Sequence, residues 1–366
     1  MKRILLCLYN MGGPYSVTDV KRFLTELFND GDLLPFPGPL RSILANVIIK
    51  KRLEAVMERY ASMGGASPQL SITESCVSKV KEGLSSLKLE NIEIVDVVSS
   101  YRYCHPKVSS VLEKAQLEVV DEIWFFSLYP HCSQSTTGSY LKTVQTALKK
   151  LQKKPKVYHI SSYFEDVEFI KLWSQRIQKM WDVTPSEGRH LLVSAHSIPK
   201  SFVANGDPYK LQISKCAETT LKHVLRSSSS QGLLQNIDWS LCWQSSVGPI
   251  PWLGPSFEKQ LETLKAQGIK NIIVWPISFV SDHIETLHEI DDEYALLAKE
   301  MGFESFQRIP NLNDHRDFVD FIIHKFTSSL NAHSLGLKGF TLGETPYRCQ
   351  LQPGNCLCQR YFNALS

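Results

Sequence analysis

The sequence predicts an α/β protein made of two similar halves, each a four-stranded parallel sheet flanked by helices, with a ligand cleft between them. Three observations carry that prediction. Short β-branched and aromatic runs alternate with helical patterns along the chain, as parallel sheets with crossover helices require. The runs fall into two sets of four. Nearly every run ends in a loop rich in Gly, Pro, hydroxyls and ionisable groups, and ligands in open parallel sheets bind where such loops converge.

The first set of strands is "RILLCLY" from Arg3, "IEIVDVV" from Ile92, "EIWFFSLY" from Glu122 and "KVYHI" from Lys156. The second is "RHLLVSAH" from Arg189, "DWSLCWQS" from Asp238, "NIIVWPISF" from Asn271 and "ESFQRI" from Glu304. On this reading the first lobe covers 1–155 and the second 156–330, and 331–366, which loses periodicity and gains Gly, Pro and Cys, is an extension. The opening "MKRILLCLYNMGGP" is too short for a signal-peptide core and runs straight into a turn, so it reads as the first strand. No stretch has the length to span a bilayer, which predicts a cytoplasmic protein.

Composition narrows the function. The chain has 366 residues, with 40 Lys and Arg against 37 Asp and Glu. That balance argues against nucleic acid as a partner. Nine cysteines in a long chain without an export signal read as reduced thiols. Residues about 31–53, "GDLLPFPGPLRSILANVIIKKRL", combine an apolar run with Lys50, Lys51 and Arg52. They read either as a helix covering the sheet or as an exposed lip that carries an apolar ligand or contacts a membrane surface.

Two strand ends hold the candidate chemistry. His196 sits where "LLVSAH" runs out, a place from which an imidazole faces a ligand. In "SDHIETLHEIDDEY", Asp282, Glu285, Glu289 and Asp292 follow at spacings of three, four and three, with His283 and His288 beside them. Such a stripe of like charge destabilises a helix unless it binds a cation or carries protons. "HCSQSTTGSYL" lacks the lysine of a phosphate loop, and the GxSxG pattern of a hydrolase elbow is absent.

Taken in order, "NMGGP", "RYCHP", "LYPHCSQSTTGS", "SAHSIP", "NGDPY", "WQSSVGPIPWLGP" and "SDHIETLHEID" resemble the motifs of the ferrochelatases. The resemblance implies two Rossmann-like lobes and a lyase that inserts Fe²⁺ into protoporphyrin IX, with ferrous iron and the porphyrin as substrates. It implies that His196 ligates iron or accepts a pyrrole proton, and that Glu285 faces it across the porphyrin plane, the two meeting from different lobes. His283 and Asp282 support, Glu289 continues an acidic path, and the segment winds as a π-helix.

By the same resemblance, Arg102 and Tyr103 lie across the cleft from His196, and Met11, Tyr60, Ser67 and Trp252 contact the macrocycle or its propionates. The 31–53 segment becomes the lip at the pocket mouth, with peripheral contact to the inner face of the cytoplasmic membrane. Some members carry a [2Fe–2S] cluster on one internal and three C-terminal cysteines, for which Cys132 with Cys349, Cys356 and Cys358 are the candidates and Cys104 a substitute fourth ligand. Their C-x6-C-x-C spacing departs from the animal pattern. The alternatives are a chelatase for coproporphyrin III or another metal, and a non-catalytic haem or iron sensor.

Overall fold

The computed structural model describes residues 1–115, 119–153, 155–229, 236–247 and 250–334. It divides into two units, Met1–Ser162 with Asn313–Ser366, and Tyr163–Leu312.

In the first unit the order is β1 (Lys2–Asn10), α1 (Val20–Phe28), α2 (Gly38–Ser62), α3 (Pro68–Ser85), β2 (Ile92–Tyr101), α4 (Val108–Lys114), β3 (Glu122–Ser127), α5 (Ser139–Leu148) and β4 (Lys156–Ile160). In the second it is α6 (Val167–Val183), β5 (Arg189–His196), α7 (Lys200–Ala204), α8 (Tyr209–Ser229), β6 (Trp239–Gln244), α9 (Phe257–Ala266), β7 (Asn271–Pro276), α10 (Ile284–Leu287), α11 (Ala295–Glu300) and β8 (Ser305–Arg308). A last helix, α12 (Arg316–Ser334), belongs to the first unit.

All eight expected strands are present, in two four-stranded sheets ordered β2-β1-β3-β4 and β6-β5-β7-β8. Every pairing is parallel. Strands covered on both faces need unbroken apolar runs, and β1, β3 and β7 are buried almost throughout. The unit limits differ from the sequence-derived ones at both ends. β4 pairs with β3, and α12 packs its neighbourhood against α3, where Asp314 accepts from Ser75 Oγ at 2.6 Å. The strand of β4 had been counted with the first set although the lobe bound at 155 fell before it, and α12 had been placed in the second lobe.

The repeated order places one reversal of direction in each sheet. Chain leaving β1 or β5 moves to one side for the next strand and to the other for the one after, so loops part between β1 and β3 and between β5 and β7. Those switch points are where a ligand fits an open α/β sheet.

α2 carries a feature of each reading of the 31–53 segment. It is a single helix with Ala45, Ile49, Val56 and Tyr60 buried on one face. On another face Leu40, Ile43 and Val47 stand 46%, 62% and 48% exposed, at helical spacings of three and four. The basic pair Lys50 and Lys51 is exposed just beyond them. Among the described residues, no helix is long and apolar enough to cross a membrane.

Candidate active site

The second unit gathers His196, Asp282, His283, Glu285 and Glu289 at its switch point. β5 delivers His196, whose backbone N–H donates to Ser278 Oγ at 3.1 Å, tying the end of β5 to the loop after β7. The His196 Nδ1 lies 2.7 Å from the Ser197 carbonyl oxygen. A carbonyl only accepts, so Nδ1 carries a proton, and Nε2 is the nitrogen left to serve as base or ligand. Phe279 stands between the two imidazoles, edge-on to His196 at 6.4 Å and to His283 at 4.0 Å between ring centres.

His283 is the cap of α10. Its Nδ1 is 3.2 Å from the Glu285 N–H and 3.0 Å from Glu285 Oε2, and its own N–H donates to Thr286 Oγ1 at 3.0 Å. With Nδ1 accepting the Glu285 N–H, the neutral ring carries its hydrogen on Nε2, and the carboxylate lies close beside the ring without a hydrogen bond to Nδ1. Burial keeps the ring neutral, lowering its pKa against the opposing pull of Glu285 and Asp282. Its Nε2 is buried with no hydrogen-bond partner.

The acidic stripe is not uniform. After α10 the chain winds a π-turn over Glu289–Tyr294, in which the Glu293 N–H donates to the His288 carbonyl at 2.9 Å, five residues back. Glu289 turns inward. Burial raises its pKa and the charge of Glu285 adds to that, while Ser245, His196 and Tyr294 oppose it. Asp282 accepts from Arg308, Asn311 and Thr286 at 2.9 to 3.1 Å, so its charge is met by a guanidinium and two neutral donors. Asp292 stands outside, with its Oδ2 3.4 Å from His288 Nδ1.

Three residues at this site escaped the sequence reading. Gln244, at the end of β6, donates to the Glu285 carbonyl at 3.0 Å and approaches Glu289 Oε2 at 3.4 Å, while its own Oε1 accepts from Ser194. Ser245 donates to Glu289 Oε2 from a backbone at φ +65°, a conformation that residues other than glycine rarely hold. Tyr294 donates to Glu289 Oε1 at 3.1 Å and stacks on Phe257 at 3.9 Å. The signal for the first two was the polar end of "WQSSVGP", whose partners lie more than 40 residues away, and for Tyr294 its place at the end of the acidic motif.

His196 and Glu285 thus come from the same unit, on the ends of β5 and beyond β7, and not from different lobes as expected. Trp252 also belongs to this unit and donates from Nε1 to the Val247 carbonyl at 2.9 Å. Among the described residues, no group of three or more His, Cys, Asp or Glu side chains is arranged to hold a metal ion. The site offers proton acceptors and single ligands.

The remaining predicted residues lie in the first unit. Met11 follows β1, and its carbonyl accepts from the Tyr103 N–H at 3.0 Å. Arg102 reaches Asp30 at 2.8 Å and Ser139 Oγ at 2.6 Å, and Tyr103 donates to the same Asp30 at 2.7 Å. Tyr103, Tyr60 and Ser67 are buried in their own unit. Gly12 is at φ +77°, where a β-carbon would stand 2.2 Å from Cys104 Sγ, and one on Gly13 would meet Ser67. Cys104 and Ser67 are therefore the packing partners of the "MGG" turn. Cys132 is buried in the loop after β3, and Cys349, Cys356 and Cys358 lie outside the described residues.

Comparison with known proteins matches the ferrochelatase family over residues 4–330. The chain is 35% identical over 321 residues to the ferrochelatase of Geobacter metallireducens, covering 87% of this chain and 96% of that protein. It is 34% identical to the ferrochelatase of Gloeothece citriformis, covering 93% and 86%. Among solved structures, the cobalt complex of the sirohydrochlorin chelatase SirB from Bacillus subtilis subspecies spizizenii aligns with a TM-score of 0.51. That match spans 91% of this chain and 97% of SirB at 9% identity, a likeness of fold.

Proposed function

The chain belongs to the ferrochelatase family, a lyase that inserts iron into a porphyrin, and from that premise we propose that protoporphyrin IX is its porphyrin and the His196–Glu289 group its reaction site. Iron insertion breaks two pyrrole N–H bonds, forms four Fe–N bonds and releases two protons, with no change in iron oxidation state. Such a site needs a neutral base, carboxylates that trade protons near neutrality, and walls that hold a bent ring better than a flat one.

The observation that carries the reading is the state of the groups at the β5 and β7 ends. His196 Nδ1 is held by the Ser197 carbonyl, which leaves Nε2 as the nitrogen for the reaction. Glu289, raised above the usual carboxylate range by burial, is the partner that takes protons onward. Glu285 lies 3.0 Å from His283 Nδ1, beside that base. In this mechanism His196 accepts the first pyrrole proton or ligates the incoming Fe²⁺, and Glu285 and Glu289 relay. Arg102, Tyr103, Met11, Tyr60, Ser67 and Trp252 hold the macrocycle, the buried ones by shaping the turns that touch it.

The exposed stripe Leu40, Ile43 and Val47 with Lys50 and Lys51 supports two finer readings. It favours the more apolar protoporphyrin IX over coproporphyrin III, whose extra carboxylates suit a basic, open entrance. It also fits peripheral contact of a cytoplasmic protein with an anionic membrane face. Insertion is followed as loss of porphyrin fluorescence with Fe²⁺, or with Zn²⁺ in its place. His196→Ala should fold and lose turnover, and a variant that keeps it contradicts this site. A higher kcat/KM for coproporphyrin III would reverse the substrate choice.

For the [2Fe–2S] cluster the support is the family resemblance alone: of its candidate ligands Cys132 and the substitute Cys104 are among the described residues, both buried, so no step is routed through it. Visible bands bleached by dithionite would establish it.

A further inference from the structure

Six carboxylates fall between Asp282 and Glu293, and one guanidinium is bonded to two of them. Arg308 Nη1 donates to Asp282 Oδ1 at 3.0 Å. Its Nε and Nη2 donate to Asp291 Oδ1 and Oδ2 at 2.8 and 2.7 Å. The Arg308 side chain is 8% exposed. Burying it is tolerable because two of its edges meet carboxylates.

The geometry of that grip matters for the site. Asp282 immediately precedes His283, and Asp291 lies in the π-turn two residues beyond Glu289. Arg308 closes β8 and pairs with Val274 of β7 in the sheet. A point fixed by the sheet therefore holds the acidic segment at two places, with His283, Glu285 and Glu289 between them. The hold passes inward as well. Asp282 Oδ1 accepts from Thr286 Oγ1 at 3.1 Å, and that oxygen accepts the His283 N–H that closes the cap of α10. Thr286 and Asn311, the other donor to Asp282, are fully buried.

We propose that Arg308 is a positioning residue for metal insertion: it fixes the spacing of the His283–Glu285 pair from Glu289 by clamping Asp282 and Asp291 together. This rests on the site assigned above. The planar fork is what the task needs, because a guanidinium holds two carboxylates on different edges at set angles and an ammonium holds charge without the angles. Loss of the clamp also returns two unneutralised carboxylates to a segment already crowded with negative charge.

The test is Arg308→Lys, which keeps the charge and is better tolerated than Arg308→Ala, assayed by Zn²⁺ insertion into protoporphyrin IX beside thermal unfolding. The expected result is a kcat lower by about 10- to 100-fold, the range for residues that orient ligands, with the porphyrin KM within about twofold and the unfolding midpoint close to wild type. Asp291→Asn, which cuts one arm, should lose less, and the double variant should be no worse than Arg308→Lys alone. A kcat within about twofold of wild type, a loss confined to porphyrin KM, or a loss that tracks unfolding would overturn the proposal. Glu285→Gln is run in parallel. If it is inactive while Arg308→Lys is not impaired, only the clamp fails; if it retains full turnover, the site assignment fails and the clamp with it.

Discussion

Gly12→Ala tests whether the "NMGGP" turn is built around a sulfur. The glycine holds φ +77°, and an added β-carbon would lie 2.2 Å from Cys104 Sγ and 3.0 Å from Tyr101 Cβ. The left-handed backbone alone costs an alanine about 1–2 kcal/mol. Relieving the overlap inside a packed turn adds about 1–3 kcal/mol, so the expected loss is about 2–5 kcal/mol. Met11 would move too, because its carbonyl holds the Tyr103 N–H at 3.0 Å and Asn10 holds that of Arg102. Urea unfolding of wild type, Gly12→Ala, Cys104→Ala and the double variant forms a thermodynamic cycle. Shortening Cys104 should recover at least about 1 kcal/mol of the Gly12→Ala loss while leaving the backbone part. A Gly12→Ala protein within about 0.5 kcal/mol of wild type, or strictly additive losses, would refute the packing argument.

Three further outcomes follow from the same geometry. Burial pushes the Cys104 thiol up to about 11, so it should resist a disulfide reagent at about pH 8 until the protein unfolds; rapid labelling of the native protein would deny that burial. Ser245→Ala removes a charge-assisted donor to Glu289, worth about 1.5–3 kcal/mol. The carboxyl then rises further, so the acid limb of the kcat profile should move to higher pH, and an unmoved limb would separate Ser245 from proton transfer.

Burial also holds His131 and His159 down at about 3 and His190 at about 4. Below the unfolded value of about 6.5 the unfolded chain binds protons that these rings refuse. Stability should therefore fall with pH from about 6.5 to the folded values, at about 1.4 kcal/mol per pH unit for each ring. Urea midpoints at several pH values, compared with His131→Leu, measure the slope; an unchanged slope in that variant would exclude His131 as a contributor.

The strands were legible because a strand's burial pattern is local: eight apolar runs with polar ends define eight strands and, by their carboxyl-end loops, the place of a candidate ligand site. His196 and Glu285 could be picked out for the same reason, each lying beyond a strand end in a motif of recognisable order. What the chain does with its acids was not local. Asp282 is paired with Arg308, 26 residues on, and Glu289 accepts from Ser245, 44 residues back, so carboxylates of one stripe acquire different surroundings only once β5, β6, β7 and β8 lie side by side. Packing likewise decided that α12 returns to the first unit and that His196 and Glu285 share the second. Periodicity reports which face of an element is covered; which charge meets which depends on distances that exist only after folding.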